Sequence, residues 1–148
     1  MRAGAWLTTA IRWTALALVL NLAWEAIHVR LYTLWDDSDR VRVWSSVLHC
    51  SLGDGLIALT GFIVTAALLR QPAWPNSWPR AGSAIVVVMT MAFTLYSEWR
   101  NVYGLGAWAY SPAMPQVAGI GLTSLLQWLI IPPAATALLS MLRREWNR

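Results

Sequence analysis

The stretch SVLHCSLGDGLIALTGFIVTAALL, Ser46 to Leu69, carries one formal charge, at Asp54, and none from Gly55 to Leu69. About 20 apolar residues cross the ~30 Å hydrocarbon layer of a bilayer as a helix. In lipid the backbone must satisfy its own hydrogen bonds, so a run of this length and composition reads as a membrane helix. Outward from it, three further apolar runs cover about Trp13–Val29, Ala81–Ser97 and Val117–Leu142. The runs are too long for barrel strands and do not alternate. The expected fold is therefore all-α: a single-domain, integral-membrane, up-down four-helix bundle with spans at about 13–29, 46–69, 81–97 and 117–142.

Composition agrees. The chain is 57% hydrophobic and 12% charged, where a soluble domain carries about 25% charged residues. It holds 11 tryptophans, a residue that favours the membrane–water interface. Every basic residue is an arginine, and the net charge is +4. With no lysine, a retinal-type Schiff base is excluded. The arginines are scattered between apolar runs and form no stripe, which argues against nucleic acid as a partner. A lone Cys50 rules out an internal disulfide or a CxxC redox pair. Arg2 and Arg12 precede the first run as in a signal peptide, but Leu22–Ala26 lacks a small-x-small cleavage pattern, so the run is expected to be retained.

Arg2, Arg12, Arg70, Arg80, Arg143, Arg144 and Arg148 fall on one side of the alternating spans; Arg30, Arg40, Arg42 and Arg100 fall on the other. Seven against four predicts both termini in the cytoplasm. The second loop, Gln71–Pro79, is rich in proline and tryptophan and reads as an extended interfacial connector. The third, Val102–Pro112, is aromatic and glycine-containing. It can fold back as a lid or form an aromatic belt, and the belt is the expected reading. Pro132-Pro133 lies inside the fourth run and removes two N–H donors.

A charge near the centre of a membrane helix costs about 2.5–3.5 kcal/mol on the insertion scale, so each one needs a reason. Asn21, Glu25, His28 and Tyr32 recur at helical spacing on one face of the first span. Thr90, Thr94, Ser97 or Glu98, and Asn101 do the same on the third, and Thr123 and Gln127 are four apart on the fourth. Two polar stripes in apolar helices should face each other rather than lipid. On the second span Asp54 is flanked by Gly53 and Gly55 and is expected either to carry a proton at neutral pH or to contact His28, His49, Gln127 or Arg100. His49 lies about 140° from Asp54 on a regular helix. With the termini inside, Glu25, His28, His49, Asp54, Glu98, Asn101 and Gln127 all fall in the outer half. Glu25 and Asp54 would then lie roughly 6–12 Å below the outer boundary.

Glu25-x-x-His28 has the spacing of four-helix carboxylate metal sites, which use two such pairs and more carboxylates. One pair alone also fits a histidine bonded to Glu25 or a headgroup. A divalent metal thus remains open, whereas haem is disfavoured because no attachment motif accompanies the two histidines. Glu25, His28, His49, Asp54 and Glu98 are the candidate ligands, supported by Asn21, Asn101, Gln127 and Tyr110.

Tyr96-Ser97-Glu98-Trp99-Arg100-Asn101-Val102, Trp108-Ala109-Tyr110-Ser111, Met114-Pro115 and Gly121-Leu122-Thr123-Ser124-Leu125-Leu126-Gln127-Trp128 resemble a family of short bacterial four-helix inner-membrane proteins. Trp24-Glu25 and His49-Cys50-Ser51-Leu52-Gly53-Asp54 fit the same pattern. The resemblance covers most of the chain and implies a multi-pass protein of the bacterial inner membrane. The family has no assigned activity, so it implies no chemistry. Three functions are left open: a ligand- or metal-binding protein using the outer-half site, a small enzyme doing acid–base chemistry on a lipid or isoprenoid, and a packing subunit among other membrane proteins or copies of itself.

Reporter fusions placed after Arg70 and after Arg148 should report cytoplasm, and fusions near Asp37 the opposite side. The reverse pattern overturns the orientation and carries the acidic cluster to the inner leaflet.

Overall fold

A side-chain cap, and not hydropathy, sets where the second long helix begins. The structure, a computed structural model, describes residues 3–146. Arg2 and Arg148, two of the arginines counted above, lie outside the described residues. Helix α1 spans Ala3–His28. Helix α2 spans Arg40–Leu69, starting before the apolar run because Asp39 caps it: its carboxylate accepts from the backbone N–H of Val41 and Arg42 at 3.0 and 3.2 Å. A short α3 covers Trp74–Ser77, and α4 covers Pro79–Trp99. Pro79 costs nothing at the start of α4, where an N–H has no helical partner. α4 runs on into a π-helical turn, Arg100–Gly104, with Leu105 N–H donating to Arg100 O at 2.8 Å.

Helix α5 spans Leu122–Trp146, so the fourth helix does not begin at Val117 as its hydropathy suggested. Gln116–Val117 (β1) and Ile120–Gly121 (β2) pair instead as a small antiparallel ribbon. Ala118 and Gly119 turn it with φ of 51° and 81°, the left-handed pair that a two-residue hairpin requires. Tyr103 Oη donates to the Gly119 carbonyl at 2.6 Å and holds the turn.

The four long helices are each long and apolar enough to cross a membrane. Apolar side chains cover their outer surfaces: Val19, Leu56 and Val88 are 65%, 67% and 68% exposed. Faces like these are unfavourable in water and neutral in hydrocarbon. They suggest a multi-pass membrane protein.

One aromatic layer joins the helices near the arginine-rich end. Trp13 (α1), Phe62 (α2) and Trp74 (α3) are fully buried, with ring centroids 5.5–5.6 Å apart. Trp13 Nε1 donates to Thr136 Oγ1 on α5 at 2.9 Å, and Ser83 of α4 donates to the same oxygen at 3.0 Å. Thr136 in turn donates to the Pro132 carbonyl at 2.9 Å. The second loop is therefore not the extended interfacial connector expected. Its prolines bend the chain into a helical turn that inserts Trp74 into the core, with Trp74 Nε1 donating to Phe62 O at 3.3 Å.

The ring of Trp74 lies against the α4 backbone at Gly82, where an added Cβ would overlap Trp74 Cε3. Gly82→Ala should lower the thermal midpoint in detergent. Overpacking costs about 1–3 kcal/mol and outweighs the gain of up to ~1 kcal/mol from better helix propensity. In a Trp74→Ala background the same change should become neutral or stabilising. An equal penalty in both backgrounds rules out this contact as the cause.

Candidate functional site

At the opposite end of the helices, four elements converge on a cavity of about 1220 Å³. α1 contributes Glu25 and His28, α2 contributes His49, Cys50 and Asp54, α4 contributes Thr94 and Glu98, and α5 contributes Ser124 and Gln127. The two polar stripes read from the sequence thus meet on one cavity. The helical spacing ends sooner than expected, however. α1 stops at His28, the chain makes a 3-10 turn over Val29–Leu31, and Tyr32 is extended. Tyr32 still reaches the cavity.

Glu98 is the best-held acid. It is 7% exposed and accepts from two phenols: Tyr32 Oη at 3.2 Å on Oε1, and Tyr110 Oη on Oε2. With its proton directed to Glu98, the Tyr32 oxygen accepts from Ser124 Oγ at 3.1 Å. Burial first, then the neighbouring Glu98, push the hydroxyl pKa of both tyrosines above the ordinary phenol range, so both remain donors. Tyr110 arrives from the third loop, which does fold back over this end. Tyr32 and Tyr110 form a β-bridge, Thr33 N–H donates to Ala109 O at 3.0 Å, and Ser111 N–H donates to Leu31 O at 2.9 Å. The loop is therefore more than an aromatic belt.

Asp54 meets Gln127, one of its four expected partners. Gln127 Nε2 donates to Asp54 Oδ2 at 2.9 Å and to Asn21 Oδ1 at 2.8 Å, while Asn21 Nδ2 donates to the Ala17 carbonyl at 2.9 Å. Arg100 is exposed and does not line the cavity. His49 is exposed at the cavity wall. Asn101 turns back onto its own helix, donating to Ser97 O at 2.8 Å and Ser97 Oγ at 3.2 Å.

His28 is 4% exposed, and neither ring nitrogen has a hydrogen-bond partner. Its Nδ1 is 3.6 Å from Glu25 Oε1, just beyond hydrogen-bond range, and its ring packs edge-on against Tyr32 at 5.0 Å. The Glu25–His28 pair gains no third ligand: among the described residues no three of His, Cys, Asp and Glu are grouped to hold one metal ion.

Ser124 and Trp108 are among the lining residues that the sequence did not mark as candidates. Ser124 lies three residues before Gln127 and shares its face, whereas Thr123 turns away to Met114 Sδ at 3.1 Å. Spacings of three and four are both helical neighbours, so the pattern could not choose between them. Trp108, whose buried Nε1 has no partner, lines the cavity from the loop, where no periodicity applies. No family model matches the chain, and no curated protein or solved structure is significantly similar to it. The site must be read from its own chemistry.

Asp54→Asn keeps an acceptor for Gln127 and should leave the thermal midpoint nearly unchanged. Asp54→Leu strands one amide proton, at about 1–3 kcal/mol. Gln127→Leu strands two acceptors and should cost more than Asp54→Leu. Thermal unfolding of the three variants gives the order, and Gln127→Leu milder than Asp54→Leu refutes the bridging role.

Proposed function

We propose that the protein binds a small, positively charged polar ligand in this cavity, as an inner-membrane protein whose four helices form an up-down bundle with both termini in the cytoplasm. One observation carries the reading. Glu25, Asp54 and Glu98 line a single cavity, and its one lining arginine, Arg42, lies 3.3 Å from Asp37 in an ion pair at the start of α2. The two acids held by hydrogen bonds are held by neutral groups, tyrosine hydroxyls on Glu98 and a glutamine amide on Asp54. Carboxylates gathered in a low-dielectric space without a fixed cation favour a mobile one. The orphaned nitrogens of His28 add a donor or acceptor for orienting that ligand. An organic ammonium fits this donor set better than a bare metal ion, since Glu25 and His28 have no third ligand to close a coordination shell.

A second reading rests on the chain Ser124–Tyr32–Glu98–Tyr110, a continuous hydrogen-bonded path from the cavity to the third loop. Such a path suits proton transfer and supports acid–base chemistry on a bound lipid or isoprenoid. Tyr110→Phe separates the two readings, because it cuts the path and leaves all three carboxylates in place.

Titrating the purified protein with a panel of alkylammonium ions, divalent metals, neutral polyols and carboxylates tests the proposal by thermal shift. Ammonium ions should stabilise it, and neutral and anionic compounds should not. Glu25→Gln should weaken cation binding about tenfold, matching the loss of roughly 1.4 kcal/mol of charge attraction. Equal stabilisation by polyols, or an unchanged affinity in Glu25→Gln, overturns it.

A further inference from the structure

A second cavity, of about 1030 Å³, lies between α4 and α5 at the arginine-rich end. Its composition is unlike the acidic site's. Arg80, Arg143 and Arg144 line one end of it, and none of its lining residues is acidic. Among the side chains the structure describes, which do not include that of Glu145, no carboxylate is paired with any of the three guanidinium groups. Away from them the wall turns apolar, through Ala84, Val87, Val88 and Leu129. From Arg143 to Leu129 the wall follows α5 for about 21 Å at 1.5 Å per residue. That exceeds the ~15 Å depth of one leaflet's hydrocarbon. The cleft therefore has a cationic head and an apolar tail on the scale of a lipid.

The sequence explains why the cleft is open. Pro133 lines it, and the side chains lining α4 there are small, with Ser83 and Ala84 in succession. Ser83 and Thr136 are bonded to each other at the base, so the floor is already satisfied and does not demand a polar ligand. The unsatisfied features are charge at the head and uncovered apolar surface along the tail. Val88 is 68% exposed and Leu129 51% exposed.

We infer that this cleft is a specific site for an anionic phospholipid, its phosphate held by Arg80, Arg143 and Arg144 and one acyl chain lying along Val87, Val88 and Leu129. Basic pockets between membrane helices recognise anionic headgroups by this combination, and guanidinium forks match phosphate oxygens in pairs. A zwitterionic headgroup brings an ammonium into the same three-arginine field and is disfavoured. The inference needs the membrane setting and is independent of the acidic cavity, so failure of cation binding there leaves it standing.

Native mass spectrometry of the purified protein in neutral detergent, titrated with phosphatidylglycerol or phosphatidylcholine of matched chains, tests it. Phosphatidylglycerol should bind at least tenfold tighter. Each arginine near a headgroup is worth about fivefold, so the combined Arg80→Gln, Arg143→Gln and Arg144→Gln variant should lose roughly a hundredfold in phosphatidylglycerol affinity. Its phosphatidylcholine affinity should fall much less, because the choline ammonium already offsets the arginine field on that phosphate. Arg70→Gln, at an exposed helix cap outside the cleft, should change little. Ala84→Trp, which fills the apolar tail and leaves every arginine in place, should also abolish tight phosphatidylglycerol binding. It decides the matter if the triple variant fails to fold. Equal affinity for the two lipids overturns the inference, as does an Arg70→Gln effect as large as a cleft substitution. Unchanged binding in Ala84→Trp, or displacement of the lipid by millimolar inorganic phosphate alone, overturns it too.

Discussion

Gln127 has two amide protons, and both are used inside the helices: one on Asn21 of α1, one on Asp54 of α2. Asn21 is fully buried and Asp54 faces the cavity, so this one amide ties α1 and α2 to α5 and constrains the angular position of all three. Because it is rooted on α5, it also sets where Ser124, one turn away, meets Tyr32. Tyr32 then determines where Glu98 sits, and Glu98 brings the third loop down through Tyr110. The end of the molecule that looks most elaborate is thus built in sequence from a single neutral side chain.

Hydropathy and helical spacing made the broad plan legible. The four long helices, the merging of the Glu25–His28 and Thr94–Glu98 stripes, and Gln127 as one of four candidate partners for Asp54 follow from period and from the cost of burying charge. What could not be read was set by contacts without period. Asp39 lay before the apolar run that marked the second span and is a helix cap. Trp74 looked interfacial because tryptophan favours that zone, yet Gly82 leaves a recess on α4 that its ring fills. Val117 looked like the start of a span, but two residues with positive φ turn the chain there. Tyr32 belonged to the right cavity for a reason the spacing did not supply, since the helix had already ended.

Charge is sorted lengthwise. Carboxylates gather at one end in a cavity with Arg42 as its one lining arginine, and three arginines gather in a cleft at the other. Between them the core is tied by neutral hydrogen bonds, from Trp13 and Ser83 to Thr136 and from Gln127 to Asn21. The separation lets each end carry chemistry of its own sign, because little of the field of one reaches the other unscreened once headgroups and salt cover the surfaces.

Pro132 and Pro133 sit on α5 between these two ends. Proline carries no N–H, so the carbonyls of Trp128 and Leu129 lack their usual helical donors four residues on. Thr136 adds a side-chain bond to the Pro132 carbonyl, a substitution of the kind that bends helices. Two rungs of the hydrogen-bond ladder are thus absent at the middle of α5, between the part bearing Ser124 and Gln127 and the part bearing Thr136 and Arg143, although the helix is continuous from Leu122 to Trp146.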